Sequence, residues 1–354
     1  MNPASLSVLL THECFPPDFR GGGEYVVLRT AAGLRARGID ARVLTTGQPE
    51  LREYEGIPTQ RLPISRHRLN LRTKSIAESA GGADIIHTFN YHACLPSLAA
   101  GRRLNKPVVC EILALFGDAW RQMRGPVIGR AFQAWERFTL TRNYDRTIFL
   151  SDSSRNIGLA LGASAEKSMV IAPGIDLERL ACAEQREPFV AFAGLLDVRK
   201  GIHHLMAVAR ALPDIPFRAL GWGDNIPELR ATAPANLEIV EERNGPGYRD
   251  LISRALVILL PSHAETFGLT LAEAMASGCA IVSSIDTIPF AGARVAPGDE
   301  TAMIEAIRRM WDDQAATAAY GRQNRLAASC YTWDAHIDRL LASYDAALRE
   351  RRGA

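Results

Sequence analysis

Glu265 and Glu273 stand on either side of the tripeptide Phe267-Gly268-Leu269, within residues 261–278, PSHAETFGLTLAEAMASG. The apolar run Ala255–Leu260 precedes them and reads as a buried strand. A short polar turn follows, then a helix from about Gly268 that Gly278 stops. The first turn of such a helix offers backbone N–H groups without intrahelical partners and the positive end of the dipole, which suits a phosphate. Gly268 has no side chain to block that approach. Glu265 then falls in the loop on one side of the anion, and Glu273 a turn or more inside the helix on another. A carboxylate accepts hydrogen bonds from two vicinal hydroxyls. One Glu therefore suits a ribose diol and the other a hexose.

Two further stretches carry chemistry of complementary kind. Phe189–Ala193 reads as a strand, followed by Gly194-Leu195-Leu196-Asp197-Val198-Arg199-Lys200-Gly201. A helix comes next, with Ile202, Leu205, Met206, Ala209 and Leu212 on one face. A helix dipole favours acids near its start, so a cation such as Lys200 there points to a role beyond a solvent-facing side chain. Near the chain start, Leu6–Thr11 reads as a strand, and Arg20-Gly21-Gly22-Gly23-Glu24 opens a helix to about Arg37. Ile39–Thr45 is the next strand, which makes a strand, Gly-rich loop, helix, strand unit. Its glycines lack the G-x-G-x-x-G spacing, which argues against a dinucleotide.

Pro-Ser-x-x-Glu-x-Phe-Gly-Leu, followed by Leu-Ala-Glu-Ala-Met-Ala-x-Gly, resembles the signature of the retaining nucleotide-sugar glycosyltransferases of glycosyltransferase family 4. The resemblance covers nearly the whole chain and is strongest from Pro188 to Gly278. It implies the GT-B fold: two doubly wound Rossmann-like domains facing a cleft, with a C-terminal helix crossing back to the first domain. It implies that Glu265 meets the donor sugar, that the Phe267-Gly268-Leu269 backbone meets sugar and phosphate, and that Glu273 holds the ribose. Lys200 and Glu265 become the catalytic positions. Gly22, Gly23, Arg199, Gly223 and Thr266 join them as donor contacts, and the loop Glu241–Tyr248 is where relatives hold the base. Arg and Lys neutralise the diphosphate as its charge grows on leaving.

Two positions depart from the family pattern. A His that contacts the sugar in many members is Leu113 here, and the usual Arg is Leu195. Glu111, His87 or His92 are candidates to replace the His, and His87 and Glu111 are the candidate acceptor contacts. His87 reads equally well as a buried strand-end histidine. Arg199 is the candidate for the missing Arg. No Asp-x-Asp pair falls in the expected loop and no metal cluster is evident, so neither a cofactor nor a metal is expected. Lys200 and the helix start at Phe267–Leu269 would stabilise the leaving group.

The chain has 354 residues, 47% of them apolar and 23% charged, enough for two domains with separate cores. A net charge of +2 gives no reason to expect nucleic acid. Six scattered cysteines without a Cys-x-x-Cys pair fit reduced thiols in a cytosolic protein. The N-terminus reads as a first strand and not a signal peptide, and no apolar stretch approaches the ~18–20 residues that span a bilayer. Residues 117–146 interleave arginines with Trp120, Phe132, Trp135 and Phe138. Such a stretch can lie on the inner membrane face, or form a solvated helix backed by core aromatics. The expected domains are residues 1–176 for the acceptor, 177–332 for the nucleotide sugar, and a returning helix over 333–354. The expected activity is transfer of a hexosyl unit from a nucleoside diphosphate sugar to an acceptor hydroxyl on a saccharide or lipid-linked molecule. The alternatives are a non-catalytic nucleotide-sugar binding subunit, a sugar phosphorylase and a nucleotide-sugar epimerase.

Overall fold

The computed structural model describes residues 6–18, 21–180, 186–243 and 245–353. The first half of the chain runs β1 (Ser7–Thr11), α1 (Gly22–Ala36), β2 (Asp40–Thr46), β3 (Glu53–Tyr54), β4 (Ile57–Leu62), α2 (Thr73–Ala80), β5 (Ile85–Phe89), α3 (Cys94–Leu104), β6 (Val108–Ile112), α4 (Ala119–Leu140), β7 (Arg146–Phe149), α5 (Asp152–Ala160) and β8 (Ser168–Val170). The strands form one sheet in the order β3-β4-β2-β1-β5-β6-β7-β8. Its pairs are parallel except β3 with β4, where a tight turn reverses the chain. Strand periodicity decides which side chains face which layer. Val8 and Leu10 of β1 pack with α1 residues Val27, Ala31 and Leu34, whereas Leu9 packs on the other face with Ile76 of α2 and Leu98 of α3.

The second half runs β9 (Glu187–Leu195), α6 (Ile202–Ala211), β10 (Phe217–Trp222), α7 (Ile226–Thr232), β11 (Leu237–Glu241), α8 (Pro246–Arg254), β12 (Ala255–Leu260), α9 (Leu269–Ala276), β13 (Ala280–Ser283), β14 (Gly292–Arg294), α10 (Glu300–Asp312), α11 (Gln314–Ala328) and α12 (Trp333–Gly353). Its sheet is parallel throughout, in the order β11-β10-β9-β12-β13-β14. Every residue of β12 is buried, as its unbroken apolar sequence requires of a strand covered on both faces.

The chain divides into two compact units. One holds the described residues up to Asp118, Arg130–Gly174 and those from Trp333 onward; the other holds Ala119–Gly129 and Ile175–Thr332. Residues 119–129 thus depart from the expected first domain. Gly125, at φ +77°, and Pro126 break α4 there. Gly129 then lies so near the helix start that a Cβ on it would stand 2.6 Å from the Trp120 carbonyl oxygen. The last helix returns to the first unit, as expected. A Cβ on Gly33 of α1 would come 2.6 Å from Ile337 of α12, so the missing side chain lets the two helices meet closely. His336, 1% exposed, accepts or donates at 3.3 Å with the Thr30 hydroxyl and lies 3.0 Å from the Ala172 carbonyl.

Candidate functional site

In the second sheet the chain works outward from β9 to β11, then restarts at β12 on the other side of β9. At such a switch point the loops leaving the two central strands diverge and leave a crevice at the strand C-termini, where ligands bind in this architecture. The loop after β9 carries Arg199 and Lys200, and the loop after β12 carries Glu265. Residues 65 or 66 positions apart in sequence converge here on one oxygen. Lys200 Nζ lies 2.5 Å and Arg199 Nη1 3.5 Å from Glu265 Oε1. Burial alone would push the Glu265 carboxyl up, but Lys200 and Arg199 outweigh it and hold the group below its ordinary range. Glu265 is therefore an anion across the neutral range. Arg199, the candidate for the missing Arg, reaches the same carboxylate as Lys200, whereas Leu195 closes β9 as a half-buried apolar residue.

The two loops are locked by backbone. The His263 N–H donates to the Arg199 carbonyl at 2.9 Å, and the Lys200 N–H donates to Asp197 Oδ1 at 2.9 Å. Gly201, at φ +77°, sits where a Cβ would fall 2.1 Å from the Pro261 carbonyl oxygen, so only glycine fits that approach. Gly268, also left-handed at φ +85°, caps α9 without a side chain. Thr266 and Phe267 are buried, Phe267 edge-on to Tyr331 at 5.6 Å, and the Thr287 hydroxyl donates to the Phe267 carbonyl. The Phe267-Gly268-Leu269 segment thus presents backbone at the start of a helix, the arrangement that attracts an anion.

Glu273 lies one turn into α9 and is part-buried. The Tyr248 hydroxyl of α8 donates to it. Burial first, and then Asp176, pushes the Glu273 carboxyl up to about 7, against the opposing pull of Tyr248 and Arg249. Gly223 follows β10, where a Cβ would stand 3.0 Å from the Leu196 carbonyl oxygen. Arg243 stacks on the neighbouring Trp222 at 5.3 Å. The second domain therefore gathers Arg199, Lys200, Glu265, Thr266, Phe267, Gly268, Leu269, Glu273 and Gly223 around the strand ends of one sheet.

Gly22 and Gly23 form the first turn of α1 in the other domain, where Glu24 accepts from the Gly21 N–H at 2.9 Å. Leu113 packs beside Gly23, 3.5 Å from where its Cβ would be. The expectation for His87 and Glu111 needs correction. Both side chains have no exposed surface, and His87 Nε2 lies 3.2 Å from Glu111 Oε2. His87 Nδ1 is also 2.6 Å from the Tyr344 hydroxyl of α12. They sit in the layer between the sheet and α12, closed to an acceptor.

Two groups escaped the sequence reading. Sheet order puts the first domain's switch point between β1 and β5. Glu13, just after β1 and 8% exposed, there accepts the backbone N–H groups of Tyr91 and His92, each at 3.2 Å. His92 is held by Asn70 at 2.8 Å and His67 at 3.1 Å, and burial lowers its pKa. The position of Glu13 two residues beyond a first strand was the available signal. The other group is His203, His204 and His263, whose ring nitrogens come within 4.8 Å of one another. No metal cluster was evident in the sequence because His263 joins the His203–His204 pair only through the fold.

Solved structures of known proteins share the architecture. Sucrose-phosphate synthase from Thermosynechococcus elongatus superposes with a TM-score of 0.84 at 20% identity, covering 98% of this chain and 100% of its own. HepE from Anabaena, in complex with UDP-glucose, gives 0.79 at 18% identity, covering 96% and 100%. The fold is GT-B. Residues 20–179 match the family model described as Glycosyltransferase Family 4, and residues 187–313 match Glycosyl transferases group 1. The chain belongs to the GT-B glycosyltransferases of the family 4 type. Among characterised relatives, O-antigen chain mannosyltransferase C of Escherichia coli is 24% identical and covers 98% of this chain and 100% of its own. A glycogen synthase of Mycobacterium tuberculosis is 27% identical over 80% of this chain and 74% of its own.

Proposed function

We propose that the protein transfers a hexosyl unit from a nucleoside diphosphate sugar to an acceptor hydroxyl with retention of configuration, in the synthesis of a cell-surface polysaccharide or glycolipid. The observation that carries this reading is the convergence of Lys200, Arg199 and Glu265 at a switch point beside the start of α9. Lys200, Arg199 and the α9 N-terminus would stabilise the departing diphosphate without a metal, while Glu265 takes the hexose hydroxyls and Glu273 the ribose diol. A phosphate oxygen of the leaving group would accept the acceptor proton, so Leu113 in place of the family His removes no base. Two relatives support the substrate class: one is named for mannosyl transfer, and one binds UDP-glucose.

Among the described residues no helix is long and apolar enough to cross a membrane. On α4 beyond its break, Val127, Ile128, Phe132 and Phe138 are exposed, by 78%, 55%, 42% and 46%. Together with the arginines of that helix they support peripheral contact with an anionic membrane and a lipid-linked acceptor.

The test is turnover in EDTA with labelled UDP-, GDP- and ADP-hexoses and membrane extract, with the product anomer read by NMR. Transfer from one donor with retained configuration supports the reading. Binding without transfer or hydrolysis would make the chain a nucleotide-sugar binding subunit. Phosphate-dependent release of a sugar 1-phosphate, or isomerisation of the donor alone, would replace it with phosphorylase or epimerase chemistry.

A further inference from the structure

His203 and His204 open α6, and His263 lies in the loop after β12, 59 positions later in the sequence than His204. The three rings pack on one another, with centroids 3.9, 5.3 and 5.2 Å apart. One ligand nitrogen from each lies within 4.8 Å of the others. His204 is oriented from behind: its Nδ1 is 2.7 Å from Glu300 Oε1 at the start of α10. This is the carboxylate–histidine arrangement that fixes a metal ligand's tautomer and leaves the other nitrogen to bind. That other nitrogen, Nε2, is buried and has no hydrogen-bond partner. Beside it Gly298 has only hydrogen where a Cβ would stand 3.8 Å away. A buried imidazole nitrogen without a partner is costly unless something occupies it.

We propose that His203, His204 and His263 bind one divalent transition-metal ion of the zinc type, with Glu300 orienting His204. Three neutral imidazoles suit Zn²⁺, Co²⁺ or Ni²⁺ and not the hard cations that need oxygen ligands. In a tetrahedral site with bonds of about 2.0–2.1 Å, ligand nitrogens stand about 3.3 Å apart, so the rings would close inward on binding. Three protein ligands leave the fourth position to water. The ion would tie the start of α6, which follows the loop that carries Arg199 and Lys200, to the loop that carries Glu265. Its effect is to clamp these loops together, and no step of sugar transfer runs through it.

The test is calorimetric titration of the tag-free full chain with Zn²⁺, and visible absorption with Co²⁺, in a non-chelating buffer. The expected result is one equivalent bound, a Co²⁺ spectrum of low coordination number, and a melting temperature that Zn²⁺ raises and EDTA restores. H204A and H263A should each weaken binding by about 100-fold, and E300Q by about tenfold, the range for an orienting partner. Circular dichroism shows whether each variant is folded, and E300Q keeps the test decisive if the histidine variants are not. K200A should bind metal as the wild type does, so failure of the donor site and failure of this site are separable. No binding, or binding that H263A and E300Q leave unchanged, overturns the proposal. So does a trio that takes inorganic phosphate in place of the metal.

Discussion

The two domains are wound on similar sheets and place opposite chemistry at corresponding points. In the second, the loops leaving β9 and β12 bring two cations and a carboxylate together at the switch point, partly open to solvent, with side-chain exposures of 29%, 18% and 11%. In the first, Glu13 at the switch point is already satisfied by two backbone N–H groups, and His87 and Glu111 are sealed beneath α12. The same topology therefore produces a charged cluster, partly open to solvent, in one case. In the other it produces a loop anchor and a structural polar cluster. The difference lies in which residues follow the strands, not in the strands themselves.

The largest expected effect tests the structural side of this comparison. H87A opens a cavity in a fully buried layer and takes away the neighbour of the Tyr344 hydroxyl, and should cost about 3–5 kcal/mol of stability in denaturant unfolding. It should leave nucleotide affinity unchanged where the variant folds. An acceptor role would instead give a stable protein with impaired transfer. On the functional side, K200A should lower turnover by about 10²–10³-fold, the cost of removing one preorganised charge from a transition state. Its melting temperature should change much less than that of H87A. E13Q puts an amide where two N–H groups seek acceptors and should cost about 1–3 kcal/mol, read by thermal unfolding. Donor binding should be unaffected; loss of nucleotide affinity in E13Q would erase the distinction between the domains.

The smallest effect is a pH dependence. With its carboxyl at about 7, Glu273 ionises as pH rises from 6 to 8, and only the carboxylate accepts both ribose hydroxyls. Nucleotide affinity should rise over that window, by up to about tenfold, since one pKa unit is worth 1.36 kcal/mol. E273Q should flatten the profile. The sign for folding is the reverse. A carboxyl raised in the folded state contributes stability that is present below pH 4.5 and lost as pH rises through about 7.

The second domain's candidate site could be assembled from the sequence because most of its parts are local. Glu265, the backbone of Phe267–Leu269 and Glu273 fall within nine consecutive residues, and a strand-to-helix turn fixes their relation. Lys200 was legible for the same reason, beside a glycine that the turn requires. Arg199 could not be placed from sequence, because its direction depends on Glu265 arriving from another strand. His87 and Glu111 resemble strand-end ligands in sequence, and only α12, more than 200 residues further on, shows that they are covered. Glu13 and His263 likewise acquire partners from distant loops. In the fold, the runs Leu6–Thr11, Ile39–Thr45, Phe189–Ala193 and Ala255–Leu260 fall on β1, β2, β9 and β12. β4 was missed because IPTQRL is short, alternates, and contains a proline.

The measurement that bears most directly on the account is calorimetry of UDP, GDP and ADP in EDTA against the wild type, K200A, E273Q and E13Q. The account predicts that one nucleotide binds the wild type and E13Q alike, and that K200A and E273Q bind it more weakly. A nucleotide whose affinity falls in E13Q but not in K200A or E273Q would place the donor in the first domain and contradict it.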